Sequence, residues 1–150
     1  MDLNEEKTKT VPFNYKEAVR GQKQGTFDFL GFTFYIGKGR YGRLIRKIRT
    51  AGKRMRLKLK KVGQWCRENR HKGTLLEMWK IFCSKMRGHI QYYAISFNAD
   101  RVEAFVHKSI GIFFKWFNRR SRKKSKNWDE FNRFRINFPP PKVVIKHRLF

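Results

Sequence analysis

T-L-L-E-M-W-K-I-F-C-S-K-M-R-G-H-I-Q-Y-Y, residues Thr74–Tyr93, decides the fold class. Its apolar positions Leu75, Trp79, Phe82, Met86, Ile90 (or His89) and Tyr93 recur every three or four residues, the spacing of one face of an α-helix. Thr74 with Glu77 three residues on makes a capping box, which satisfies backbone N–H groups that the first turn leaves without partners. Downstream, Val102, Phe105, Ile110 (or Ser109), Phe113, Trp116 and Phe117 repeat the pattern. D-R-V-E, beginning at Asp100, offers that helix a second capping box near Asn98–Asp100. Asn127, with Glu130 at the third helical position, is placed to cap a short further helix. Pro139-Pro140-Pro141 stops any helix and favours an extended backbone, so V-V-I-K-H-R-L-F after it reads as a docked strand or extended arm.

Upstream, Met55, Leu59, Val62 and Cys66 step by four, three and four residues and predict another helix. Before it, T-F-D-F-L-G-F-T-F-Y-I (Thr26–Ile36) is β-branched and aromatic. G-K-G-R-Y-G (Gly37–Gly42) supplies glycines for a tight turn, and Leu44-Ile45 resumes an apolar run. This reads as a β-hairpin. Taken as one strand, Phe27–Tyr35 is apolar on both faces, and a lone two-stranded hairpin is marginal in water. The segment therefore looks like the end of a larger sheet. The fold expected is mainly α, with a β-hairpin at the N-terminal end (residues 1–46), then three to four helices and an extended tail (residues 47–150).

The charge narrows the function. Among 150 residues, 37 are Lys or Arg and 11 are Asp or Glu, a formal net charge of +26. A small domain ordinarily carries a net charge of about 2–8 in magnitude, so this surface repels itself unless a polyanion neutralises it. The chain is not a disordered tail, because 40% of its residues are hydrophobic and 15 are Phe. Fifteen Lys/Arg and a single acid, Glu68, fall between residues 38 and 73. Charged faces usually mix signs, and this one does not. Lys53, Arg54, Arg56, Lys58, Lys60 and Lys61 are the first candidate nucleic-acid contacts. R-R-S-R-K-K-S-K (Arg119–Lys126) is the second, with Arg119, Arg120, Arg122, Lys123 and Lys124; the planar guanidinium of Arg binds two phosphate oxygens at once. Tyr92 and Tyr93 are adjacent on a helix and cannot both face the core, so one stands at the surface near Arg87, where it can stack on a base or touch a sugar.

Other chemistry is thinly supported. The adjacent acids, Glu5-Glu6 and Asp129-Glu130, suit helix starts or surface better than a two-metal centre, which needs carboxylates around ions about 3.5–4 Å apart. The glycines match no phosphate loop. Cys66 and Cys83, without a C-x-x-C, read as two buried thiols, and the four histidines show no metal-ligand spacing. No metal or cofactor is expected. The longest apolar run, Ile110–Phe114, is far short of the ~18 residues that span a bilayer, and the polar, acidic M-D-L-N-E-E-K start is not a signal peptide. No membrane partner is expected, and a cytoplasmic location fits.

Specific strings add a family resemblance. L-N-E-E-K-T-K (Leu3–Lys9) and F-D-F-L-G-F-T-F (Phe27–Phe34) resemble the last blocks of the reverse transcriptase domain of group II intron-encoded proteins. M-R-G-H-I-Q-Y-Y (Met86–Tyr93) resembles their maturase-specific region. W-F-N-R-R-S-R-K-K-S-K-N-W-D-E-F (Trp116–Phe131) and F-P-P-P-K-V-V-I-K-H-R-L-F (Phe138–Phe150) resemble the C-terminal end of many bacterial members. The blocks stand in family order over nearly the whole chain. The resemblance implies that Phe29, Leu30, Gly31 and Phe32 match a primer-grip hairpin at the end of the palm. Residues from about 50 to 118 would be a thumb-like, maturase helical bundle, with Arg87, Gly88, Tyr92 and Tyr93 in its signature. The Arg119–Lys126 loop and Trp128 would contact RNA. The family's Tyr-Ala-Asp-Asp catalytic block and fingers are absent, as is a His-Asn-His nuclease module, so the chain looks like the C-terminal third of such a protein. The leading expectation is a module of this mobile-element family that binds group II intron RNA to assist splicing, or clamps an RNA/DNA template–primer duplex, without polymerase chemistry of its own. The alternatives are a subunit completed by a separate fingers/palm polypeptide, and a basic nucleic-acid chaperone unrelated to introns.

Overall fold

The computed structural model describes residues 10–123 and 125–149. Among them are five helices and a small antiparallel sheet: α1 (Tyr15–Val19), β1 (Phe27–Phe29), β2 (Phe32–Lys38), β3 (Leu44–Thr50), α2 (Gly52–Asn69), α3 (Leu75–Tyr93), α4 (Ala99–Asn118) and α5 (Trp128–Asn137). The fold is mainly α with strands near the N-terminus, as expected. The chain divides into two compact units, the first reaching Ala51 and the second beginning at Gly52. Strand β3 carries the first unit past residue 46, where composition alone suggested a break.

The first unit holds the expected hairpin, as β2 and β3, and adds a third strand to it. The sheet has three strands in the order β1-β2-β3, because T-F-D-F-L-G-F-T-F-Y-I turns back on itself. Leu30 and Gly31 both have positive φ, 51° and 83°, and make the two-residue turn whose twist suits a hairpin. Phe29 then pairs with Phe32, and Phe27 with Phe34. In a continuous strand Phe27 and Phe29 would face away from Phe32 and Phe34. The two-residue turn puts all four on one face, since directly paired residues share a face. Phe27 and Phe34 stack with ring centroids 4.9 Å apart. On the other face the Thr33 hydroxyl donates to Asp28 Oδ1 at 2.5 Å, and Arg49 lies 5.0 Å over the Tyr35 ring. The second turn, at Gly39–Arg43, is closed by Gly39 N–H donating to the Arg43 carbonyl at 2.8 Å; Gly42 supplies its positive φ of 74°.

The second unit is an up–down–up bundle. α4 packs on both α2 and α3, and α2 runs antiparallel to α3 across a short connection, in touch with it through the long side chains of Lys58 and Lys85. The core holds most of the expected stripes: Trp79, Phe82, Met86, Ile90 and Tyr93 from α3, and Val102, Phe105, Ile110, Phe113 and Phe117 from α4, are buried, whereas Leu75 and Trp116 are half-buried at its edge. Met55 and Cys66 of α2 are buried, and so is Cys83, which burial and no bonding partner accounts for. α5 caps one end by setting Phe131 against Trp79, Phe113 and Phe114, at centroid distances of 5.7, 6.3 and 4.9 Å.

Helix starts follow the sequence at two places out of three. Thr74 and Asn127 each make a complete capping box, with Glu77 and Glu130. D-R-V-E makes none. α4 begins two residues earlier than an Asp100 cap would allow, behind Asn98, whose side chain turns back and donates from Nδ2 to the Tyr93 carbonyl at 2.8 Å.

The tail is an extended strap. Trp79 Nε1 donates to the Phe138 carbonyl at 2.8 Å. Eight residues later Lys146 N–H donates to the Ala94 carbonyl at 2.6 Å, and Ser96 N–H donates to the His147 carbonyl at 3.2 Å. Extended polyproline-like chain covers about 25 Å in eight residues. The helical path from Trp79 to Ala94 is about 22 Å. The strap thus spans the length of α3, with Pro141, Val143 and Ile145 half-buried and Lys142, Val144 and Lys146 exposed.

Candidate nucleic-acid interface

The positive charge of α2 is sorted by its own helical geometry. Met55, Leu59, Val62 and Cys66 fix the inward side. Lys53, Arg56, Lys60 and Arg67 then fall in one row on the outward side, all exposed. Arg54, Lys58, Lys61 and Trp65, spaced i, i+4, i+7 and i+11, form a second row on the flank toward α3. The facing flank of α3 carries the same spacing in Ile81, Lys85, Gly88 and Tyr92.

Two cation–π contacts join the rows. Lys58 Nζ lies 5.4 Å from the Tyr93 ring centre, and Lys85 Nζ lies 5.3 Å from that of Trp65. The antiparallel arrangement therefore sets Lys61 across from Gly88. A Cβ built on Gly88 meets nothing within 4 Å, so this stretch of helix offers bare backbone. The result is a groove about 17 Å long along α2, with Arg54, Lys58, Lys61 and Lys85 as cations and Tyr92 as an exposed ring; the carboxylates of Glu68 and Glu77 stand one step beyond it, toward the α2–α3 connection.

Burial beneath the groove shifts the titration of three of its groups. Burial, with the charges of Arg54 and Lys61 adding to it, lowers the Lys58 pKa. Burial first, then the Lys58 charge, pushes His89 down to about 4. Neutral His89 is stacked between Phe105 and Tyr93, at centroid distances of 3.7 and 4.5 Å. Burial raises the Tyr93 pKa against the opposing pull of Arg54, and the Tyr92 ring stands edge-on to Tyr93 at 4.6 Å.

The sequence candidates are not all brought together. Arg54, Lys58, Lys61 and Tyr92 line the groove; Lys53, Arg56 and Lys60 form the outward row. Tyr92 is the exposed member of its pair and Tyr93 the buried one. Arg87 projects from the opposite flank of α3, where its charge acts on Cys83. Burial still holds that thiol up at about 11, and Cys66 at about 12. Arg119 lies 5.3 Å over the Trp116 ring, which also carries Arg70 at 5.4 Å. Arg120 is half-buried; it stacks 5.9 Å over Phe117 and donates to the Gly73 carbonyl. Arg122 and Lys123 are exposed, and Lys124 lies outside the described residues, as do Leu3–Lys9. Phe29, Leu30, Gly31 and Phe32 form the tight hairpin of the first unit, with Phe29 and Leu30 exposed and Phe32 buried. Lys85, Trp65 and Arg70 were not singled out from sequence. The signal for the first two was there, in the matching i, i+4, i+7, i+11 rows.

No helix among the described residues is long and apolar enough to cross a membrane, and no group of three or more His, Cys, Asp or Glu gathers among them to hold a metal ion. No protein-family model, curated protein or solved structure matches the chain.

Proposed function

We propose that the chain is an RNA-binding module of the maturase or thumb kind, which holds group II intron RNA in its folded form or clamps a template–primer duplex. The observation that carries this reading is the groove between α2 and α3, with four cations, one exposed tyrosine and a bare glycine in two matched rows. Arg54, Lys58, Lys61 and Lys85 would neutralise phosphates and release their counterions. Tyr92 would lie against a sugar or base, and Gly88 would let the strand approach the helix backbone. In this reading the chain works in the cytoplasm, and splicing chemistry stays with the RNA.

The test is affinity for a folded group II intron RNA, an unrelated structured RNA and a template–primer duplex at several salt concentrations. Contact of these four cations with phosphates lowers affinity about 50- to 150-fold between 50 and 200 mM salt. Replacing Lys58 and Lys61 together by Gln should lessen the salt slope by about two. A flat salt response refutes the reading, and equal affinity for all folded RNAs turns it into that of a general chaperone.

A second reading, a subunit completed by a separate fingers/palm polypeptide, is favoured by one feature. Phe27, Phe29 and Leu30 are exposed at the edge strand and its turn, and exposed apolar edge strands invite pairing with another chain. Primer extension on mixing with such a polypeptide, lost in Phe29→Ser, would support it.

A further inference from the structure

At the end of the bundle, a cleft of about 440 Å³ opens beside the Arg119–Lys126 loop. That volume falls within the ~300–1,000 Å³ of small-molecule sites. Leu75 and Phe114, both half-buried, make the accessible part of its apolar lining, and the buried rings of Phe113, Phe117 and Phe131 back it. His71, Arg120, Ser121 and Lys126 add polar and cationic groups around it.

The cleft is built rather than incidental. The Arg120 guanidinium is fixed by its stacking on Phe117 and its bond to the Gly73 carbonyl, which takes one of five N–H donors. The loop is bracketed by Asn118, whose Nδ2 donates to the Lys126 carbonyl at 2.8 Å and whose Oδ1 accepts from Lys126 N–H. Arg70 donates from Nε to His71 Nε2 at 3.1 Å and holds that imidazole at the mouth. An apolar ligand would have no use for a cationic rim, and a fully paired helix has no base to put into an aromatic-lined recess. A planar apolar base attached to a phosphate satisfies both halves of the lining.

We propose that this cleft takes one unpaired nucleobase of a bound RNA, with the adjoining phosphate on Arg120 and Lys126. The inference rests on the RNA-binding reading and adds to it a preference for RNA with a loop or bulge. Unstacked bases of single-stranded segments are commonly held on aromatic side chains, and loss of one such base–aromatic contact lowers affinity about 5- to 150-fold.

The test uses the full chain and two RNAs of the same stem sequence, one closed by a loop and one fully paired. Each carries 2-aminopurine, in the loop or within the stem. The loop probe's fluorescence should change with the same midpoint as binding, and the stem probe's should not. Ser121→Trp fills the cleft from the loop without touching the core. It should abolish the fluorescence change and weaken loop RNA about 5- to 150-fold, leaving the paired stem within about twofold. Lys126→Glu alters an exposed side chain and should shift the same preference in the same direction. Equal binding of both RNAs with no effect of either variant overturns the cleft proposal and leaves the groove reading standing. Binding of neither RNA overturns both.

Discussion

Gly88→Ala should move stability and RNA affinity in opposite directions. Gly88 lies within α3, where glycine costs about 0.5–1 kcal/mol relative to alanine because its backbone loses more freedom on folding. A Cβ added there meets nothing within 4 Å, so no clash offsets that gain. For a unit running from Gly52 to Phe150, 1 kcal/mol corresponds to about 4–8 °C in Tm. The expected rise is therefore about 2–8 °C, read by circular dichroism melting. If a strand approaches the bare helix across from Lys61, the same methyl group stands in its path. Losing one contact of about 1 kcal/mol weakens binding about fivefold, read by fluorescence anisotropy with labelled RNA at fixed salt. A fall in Tm would show that the space over Gly88 is filled, and a Tm rise with unchanged affinity would refute the use of the bare backbone by RNA.

Three more outcomes follow from the same geometry. His89 is held neutral in the fold with a pKa of about 4, below its ordinary 6.5, so the unfolded chain takes up the proton first; stability of about 3 kcal/mol should be present above pH 6.5 and be lost as pH falls toward 4. Urea midpoints at pH 7, 5 and 4 check this, and His89→Phe should flatten the trend. Trp79→Phe removes the indole bond to the Phe138 carbonyl and leaves space in the core, at a cost of about 2–3 kcal/mol; trypsin cleavage after Lys142 should quicken, and an unchanged digestion rate would count against the strap. Asn127→Ala breaks the α5 capping box and should cost about 1 kcal/mol in chemical denaturation.

What was legible in the sequence was whatever depends on local spacing. The stripes from Leu75 to Tyr93 and from Val102 to Phe117 predicted the core faces of α3 and α4, because a helix repeats every 3.6 residues whatever surrounds it. Thr74 and Asn127 signalled their helix starts for the same reason. Asp100 did not cap α4, because the preceding Asn98 is drawn to the end of α3 by a tertiary contact that no local pattern encodes. The hairpin turn was hidden because leucine rarely takes positive φ, and an unseen two-residue turn reverses the face of every phenylalanine before it. The groove was half legible. Both rows are written in the sequence, yet their pairing depends on α2 and α3 lying antiparallel, which no local pattern encodes for Lys85 and Trp65, and Arg87 stands on the other flank of α3.

The strap changes how this unit is expected to assemble. Without it, α2, α3 and α4 form a bundle of neighbouring helices, whose contacts close quickly because little chain separates them. The bond from Trp79 to Phe138 spans 59 residues, so its loop closure weighs on the rate as those of the bundle do not. It is also translated late, and during synthesis N-terminal parts organise first. The basic row of α2 and Lys85 of α3 would thus exist on a nascent chain before the indole of Trp79 and the carbonyl of Ala94 have found their partners. An RNA meeting the chain at that stage would meet a working polyanion surface on an unfinished fold, and would itself help to hold two mutually repelling helices together until the last segment arrives.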